Sequence, residues 1–129
     1  MKKVTIASLT ASVMFLFIAP AYGDSILQIW ECELNDNKTP ADVIAASSVW
    51  LKAAKNNEGG EDITVSLEFQ IVGDAEDGDF YFVLSVTDTK TWGVFNQDYP
   101  DSPAGQAEEA WADVATCSSN TLSASVDIE

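Results

Sequence analysis

The sequence has 129 residues, enough for one domain with a modest core, and it carries 21 acidic residues against six lysines and no arginine. This negative charge repels phosphate backbones and anionic lipid surfaces, so it argues against nucleic acid and membrane partners. Histidine is absent, so a Ser-His-Asp catalytic site is impossible. The acids are scattered along the chain, which favours solubility in a salty medium over the alternative of an acidic docking surface.

The first 23 residues have the pattern of a bacterial-type secretory signal peptide. Lys2 and Lys3 precede an uncharged apolar run, and Ala21 and Gly23 are the small residues expected just before a cut. The alternative is an uncleaved membrane anchor, because the run is nearly long enough to span a bilayer. We predict cleavage after Gly23 and an exported domain, periplasmic or secreted, of residues 24–129. All 21 acids and four lysines remain in it, so its net charge is −17.

The mature chain is predicted to open with a strand, residues 25–34, followed by a helix. The strand is apolar on both faces, which suits a central position in a sheet. Thr39, Pro40 and Asp42 form a helix start, with an N-cap, a proline at the first helical position and an acid that completes the capping box. The helix should run to about Asn56, where a glycine pair ends it. One stripe of this helix, at three- and four-residue spacing, comprises Val43, Ala46, Ser47, Trp50, Ala53 and Ala54.

A hairpin follows, and it has the clearest pattern in the chain. Residues 63–71 and 80–86 each alternate apolar and polar side chains, which predicts two strands with one buried face each. Asp77 and Gly78 between them favour a tight reversal. The predicted inward residues are Ile63, Val65, Leu67, Phe69, Ile71, Phe80, Phe82, Leu84 and Val86.

The rest of the chain supplies a second helix and a last strand. Residues 89–97 are predicted as a short helix or turn with Trp92 and Phe95 pointing inward, and Ser102 and Pro103 start the helix. Its apolar stripe is Ala107, Ala110, Trp111 and Val114, and the last strand carries Leu122, Ala124, Val126 and Ile128. The resulting β-α-β-β-α-β order predicts an α+β, ferredoxin-like domain, in which a four-stranded antiparallel sheet carries two helices on one face.

The cysteine pair tests this topology. The first and last strands should be antiparallel neighbours, which brings Cys32 beside Cys117. A redox-active or metal-binding pair is the alternative, but the chain has no C-x-x-C motif, histidine or third cysteine. We predict a structural disulfide, no metal site and no cofactor.

Three segments together resemble small exported proteins, themselves uncharacterised, of the dimeric α/β-barrel superfamily. They are W-E-C-E-L, K-T-P-A-D-V at a helix start, and A-W-A-D-V-A-T-C-S-S-N-T-L leading into the last strand. The resemblance implies two ferredoxin-like sheets paired face to face and a pocket between sheet and helices. It also implies two activities known in the superfamily, cofactor-independent oxygenation and haem binding, and the lack of histidine excludes the haem branches that use a proximal histidine.

The sheet face opposite the helices is the predicted place for a homodimer contact. Its polar character is unusual for an obligate dimer, so two alternatives remain: a dimer interface that contains water, or a face exposed to solvent. The residues expected on it are Thr64, Ser66, Glu68, Gln70, Tyr81, Val83, Ser85, Ser123, Ser125 and Asp127, with Leu27, Ile29, Glu31 and Glu33 in the centre.

The tryptophans are the candidate ligand-binding residues. A flat aromatic pocket is one interpretation, and simple core packing is the other. The main functional hypothesis is a non-catalytic module that binds a small apolar or aromatic ligand or another protein. The alternatives are a cofactor-independent monooxygenase and a purely structural role. The candidates are Trp30, Trp50, Trp92 and Trp111, with Gln28, Asn96 and Tyr99 as polar anchors; no catalytic residue is predicted.

Overall fold

The computed structural model describes residues 25–73 and 76–129, and within these ranges the chain forms one antiparallel sheet with helices on one face. The strands are β1 (Ser25–Leu34), β2 (Thr64–Phe69), β3 (Asp79–Val86) and β4 (Ala115–Ser125). The helices are α1 (Pro40–Ala54), α2 (Thr89–Asn96) and α3 (Pro103–Ala112), with a 3₁₀ turn at Tyr99–Asp101. The sheet order β2-β3-β1-β4 confirms the predicted α+β, ferredoxin-like fold.

The predicted signal peptide, residues 1–23, lies outside the described residues. Within residues 25–73 and 76–129, no helix is long and apolar enough to cross a bilayer.

Strand β1 is central, as its apolar character on both faces predicted. It pairs with β3 on one side and β4 on the other, both antiparallel. Trp30 lies opposite Phe82 on the helix-facing side. Cys32 lies directly opposite Cys117 and is bonded to it, as predicted from the topology. The alternation of β1 therefore sets which side chains of its two neighbours face the helices.

Helix α1 begins with the predicted capping box. The Thr39 backbone N–H donates to the Asp42 carboxylate at 2.8 Å, and the Thr39 hydroxyl accepts from the Asp42 N–H at 3.4 Å. The Thr39 hydroxyl also donates to the Asp42 carboxylate at 2.8 Å. This bond and the one from the Thr39 N–H lower the pKa of Asp42, because both stabilise its charged form. Val43, Ser47 and Trp50 are buried, so the predicted stripe is the face that packs on the core.

The loop after α1 ties that helix to the start of α3. Asn57 is only 6% exposed, and its side chain donates to the Ser102 hydroxyl at 2.9 Å and accepts from the Ala104 N–H at 3.2 Å. Ser102 also caps α3 by accepting from the Gly105 N–H at 3.1 Å. A Cβ at Gly105 would collide with the Tyr99 carbonyl, so glycine here allows the 3₁₀ turn to fold closely onto α3. These contacts fix the position of Tyr99 relative to both helices.

The structure differs from the sequence prediction at the ends of several elements. Strand β4 begins at Ala115, well before the alternating segment that predicted it, because an edge strand can be held by backbone bonds to β1 without an apolar pattern. The strand ends at Ser125, and the four apolar residues predicted to face the helices from it are all exposed: Leu122, Ala124, Val126 and Ile128. Ile71 is 94% exposed, since β2 ends at Phe69.

The helical stripes differ in detail as well. Ala110 is exposed instead of inward, and Ala104 is the fully buried alanine of α3. Residues 89–97, for which the pattern allowed a helix or a turn, contain helix α2, capped by Asp88. Phe95 of α2 is buried, as predicted, and Trp92 is half-buried.

Candidate functional site

An aromatic cleft of about 440 Å³ lies between the helix-facing side of the sheet and the helices. Phe82 of β3 stands at its centre, with Trp30, Trp50 and Trp111 around it at centroid distances of 5.6, 5.5 and 5.5 Å. The three indole planes stand at 78°, 86° and 84° to the Phe82 ring, the edge-to-face geometry that aromatic pairs prefer. All four rings line the cleft, so they form one continuous apolar wall.

The buried indole N–H groups of this wall are bonded inside the protein. Trp50 donates to the Tyr99 hydroxyl at 3.0 Å, and Trp111 donates to the Ser47 hydroxyl at 2.9 Å. Both indoles are less than a tenth exposed, so these bonds spare a buried donor from remaining unpaired. Trp50 and Trp111 therefore present ring carbon atoms, and no hydrogen-bond donor, to the cleft.

Gln28 of β1 is oriented by Trp92, which donates its Nε1–H to the Gln28 Oε1 at 2.9 Å. Because an indole N–H can only donate, the oxygen of the Gln28 amide must face Trp92. The amide nitrogen has no hydrogen-bond partner among the described residues, and Gln28 lines the cleft. Gln28 thus supplies the cleft with a donor whose direction is fixed by the protein.

Asn96 and Tyr99 supply the other polar groups of the cleft. The Asn96 amide nitrogen donates to the Trp92 carbonyl oxygen at 2.8 Å, which leaves the Asn96 side-chain oxygen as an acceptor. Burial raises the pKa of Tyr99, and the charge of Glu108 and a hydrogen bond with it act in the same direction. The Tyr99 hydroxyl is therefore protonated at neutral pH and is no base.

Six of the seven predicted ligand-binding residues line this cleft: Gln28, Trp30, Trp50, Asn96, Tyr99 and Trp111. Trp92 is not part of the lining and acts on the cleft through Gln28 and Asn96. The sequence reasoning did not include Phe82 and Phe95 in the site, although both were predicted to point inward. It also missed Glu108, which is an exposed residue of α3 outside the apolar stripe. The rim from Ala115 to Asn120 was missed because the early start of β4 carries no pattern.

The open sheet face has an apolar centre in a polar surround. Val83 is 8% exposed, and Leu27 and Ile29 on β1 are half-buried beside it. Glu31 lies opposite Tyr81, which in turn lies opposite Glu68, so the predicted acids do share this face. Within residues 25–73 and 76–129, no group of three or more His, Cys, Asp or Glu side chains is placed to hold a metal ion.

No protein-family model matches the sequence, and no curated protein matches it either. Solved structures do resemble the chain. One is SnoaB, a cofactor-independent oxygenase from Streptomyces nogalater, with 11% identity, a TM-score of 0.58, and coverage of 82% of this chain and 97% of that one. This chain has the ferredoxin-like fold.

A second similar structure is a dimeric ferredoxin-like protein of unknown function from Thermobifida fusca, with 18% identity, a TM-score of 0.49, and coverage of 78% and 89%. The likeness to SnoaB extends over the whole sheet-and-helix domain and concerns its fold. At these identities the likeness concerns the fold and leaves the activity to be inferred from the site.

Proposed function

We propose that this domain is an exported, non-catalytic module that binds a small aromatic or apolar molecule in the cleft. The observation that carries the proposal is the cleft itself. It combines an aromatic wall of Trp30, Trp50, Phe82 and Trp111 with oriented polar groups on Gln28 and Asn96. Mostly apolar walls with a few fixed polar groups are the usual composition of small-molecule sites.

The lining of the cleft also contains no histidine or free thiol, and the Tyr99 hydroxyl is held protonated. The Ser119 hydroxyl of the lining donates to a carboxylate at 3.0 Å, but that carboxylate belongs to Glu31, which lies outside the lining. This arrangement favours binding over covalent catalysis in the cleft. The Cys32–Cys117 disulfide is compatible with the proposed export.

A cleft-filling variant tests the binding proposal. Ala112 is an exposed residue of α3 that lines the cleft, whereas Ala110 of the same helix is exposed and does not. We expect Ala112→Leu to weaken the binding of an aromatic ligand about tenfold, because the added side chain occupies part of the cleft. A tenfold change in affinity equals about 1.4 kcal/mol of binding free energy. Ligand quenching of tryptophan emission measures the affinity.

Ala110→Leu is the matched control, since it adds the same side chain to the same helix away from the cleft, and it should leave the affinity unchanged. Equal affinities for the two variants would place binding elsewhere. If no member of an aromatic panel perturbs the tryptophans, the proposal fails, and a purely structural role or a protein-interaction role is left.

A cofactor-independent oxygenase is the second candidate, and the likeness to SnoaB favours it. An aromatic or quinol substrate would bind in the same cleft, with Gln28 and Asn96 contacting its oxygen substituents. Oxygen consumption in the presence of such a substrate distinguishes the two candidates. Turnover that Ala112→Leu suppresses and Ala110→Leu preserves would establish the enzyme, whereas quenching without oxygen uptake supports the binding module.

We further propose that the open sheet face pairs with a second copy of the chain. Its apolar centre of Leu27, Ile29 and Val83 supports the pairing, and the surrounding glutamates make the interface wet. Sedimentation equilibrium should show a dimer that Ile29→Asp converts to a monomer. Thr121, opposite Ile29 on β4, provides the control Thr121→Asp at the edge of the same face, where we expect a much smaller effect.

A further inference from the structure

The lining of the cleft includes the aromatic rings of Trp30, Trp50, Phe82 and Trp111. The N–H groups of Trp50 and Trp111 are already bonded to Tyr99 and Ser47, so their rings present no donor to a ligand. An aromatic ring carries negative potential on its faces. It attracts a cation placed within about 6 Å of its centroid, and more strongly where water is excluded.

The charged side chain at the cleft is negative, as are the faces of aromatic rings. Glu108 of α3 lines the cleft next to the Tyr99 hydroxyl, and the side-chain oxygen of Asn96 adds a second acceptor. Among the described residues that line the cleft there is no lysine, and the whole chain has no arginine. A cation in the cleft would thus meet one full negative charge, an acceptor and several rings, with no cation to oppose it.

We infer that the cleft selects an organic cation, namely an aromatic or methylated ammonium compound, over a neutral molecule of the same shape. This inference rests on the proposed function, because it names the ligand class of the same cleft. Anions are excluded by Glu108 and by the net charge of −17 on residues 24–129. Gln28 then hydrogen-bonds an acceptor on the ligand, and the rings and Glu108 hold its charged end.

The test uses three probes that differ in charge: phenyltrimethylammonium, its neutral isostere tert-butylbenzene, and the anion benzenesulfonate. Tryptophan emission is titrated with each. We expect the cation to bind about tenfold more tightly than the neutral isostere, the size of effect that cation–π contacts with partial desolvation give. The anion should not quench the emission.

Two charge variants separate the cleft from the general attraction of an acidic protein. Glu108→Gln and Glu109→Gln remove the same charge from adjacent positions of α3, but only Glu108 lines the cleft. Glu108→Gln should weaken the binding of the cation about fivefold and leave the binding of tert-butylbenzene unchanged. Glu109→Gln should change the affinity for neither probe, since its charge lies outside the cleft and is screened by solvent.

Each outcome has a distinct meaning. Equal or tighter binding of the neutral isostere, or equal effects of the two glutamine variants on the cation, would overturn the inference while the proposed function stands. Failure of all three probes to quench the tryptophans would overturn both. A cation preference that falls about fivefold in Glu108→Gln and is unchanged in Glu109→Gln supports both.

Discussion

Reducing the Cys32–Cys117 bond is expected to lower the free energy of unfolding by about 4 to 5 kcal/mol. The two cysteines are 85 residues apart, so the bond closes most of the domain into one loop and restricts the unfolded chain strongly. The loss would be a large part of the total stability, which for such domains is about 5 to 15 kcal/mol. Guanidinium unfolding, with and without reductant, gives the two free energies.

The oxidised and reduced forms are matched, because the chain contains no other cysteine and no side chain is replaced. A Cys32→Ala/Cys117→Ala variant should resemble the reduced protein and be insensitive to reductant. A difference below about 1 kcal/mol between the oxidised and reduced forms would contradict the chain-entropy account of the bond.

Phe82→Ala is expected to cost about 3 to 5 kcal/mol, since it removes a large ring from a closely packed core. Phe82 is 7% exposed and, among residues 25–73 and 76–129, is the one ring that contacts Trp30, Trp50 and Trp111 together. The loss should also collapse the cleft wall, so ligand quenching should disappear even under conditions where the variant is folded. Thermal and guanidinium unfolding measure the stability.

Two further substitutions calibrate this result. Phe82→Leu keeps most of the volume and should cost less than Phe82→Ala. Phe69→Ala, at the end of edge strand β2, removes a half-buried ring whose ring partner is Phe80, and should also cost less. A cost for Phe69→Ala that equals or exceeds that for Phe82→Ala would show that the centre of the core lies elsewhere.

The elements with strong local chemistry were predictable from the sequence. The alternation of residues 25–34 and 80–86 sets the buried face of two strands, and the Thr39–Pro40–Asp42 box sets the start of α1. The disulfide followed from topology, because a ferredoxin-like order makes the first and last strands neighbours. These features depend on residues close in sequence or on one rule of connection.

The remaining features depend on contacts between distant segments. The rim from Ala115 to Asn120 reads as polar coil in the sequence, and only its backbone pairing with β1 makes it a strand. Trp92 shares the inward pattern of the other tryptophans. Its exact position on α2 directs its N–H to Gln28 and leaves it outside the lining, which a helical period alone does not specify.

The four tryptophans allow the central claim to be tested residue by residue, because each contributes one indole N–H signal to a nitrogen–proton correlation spectrum. The spectrum is recorded during titration with phenyltrimethylammonium and with tert-butylbenzene. We expect the signals of Trp30, Trp50 and Trp111 to move together with one common affinity, and that of Trp92 to move less, since Trp92 does not line the cleft. Unmoved signals, or a shift confined to Trp92, would contradict binding in the cleft.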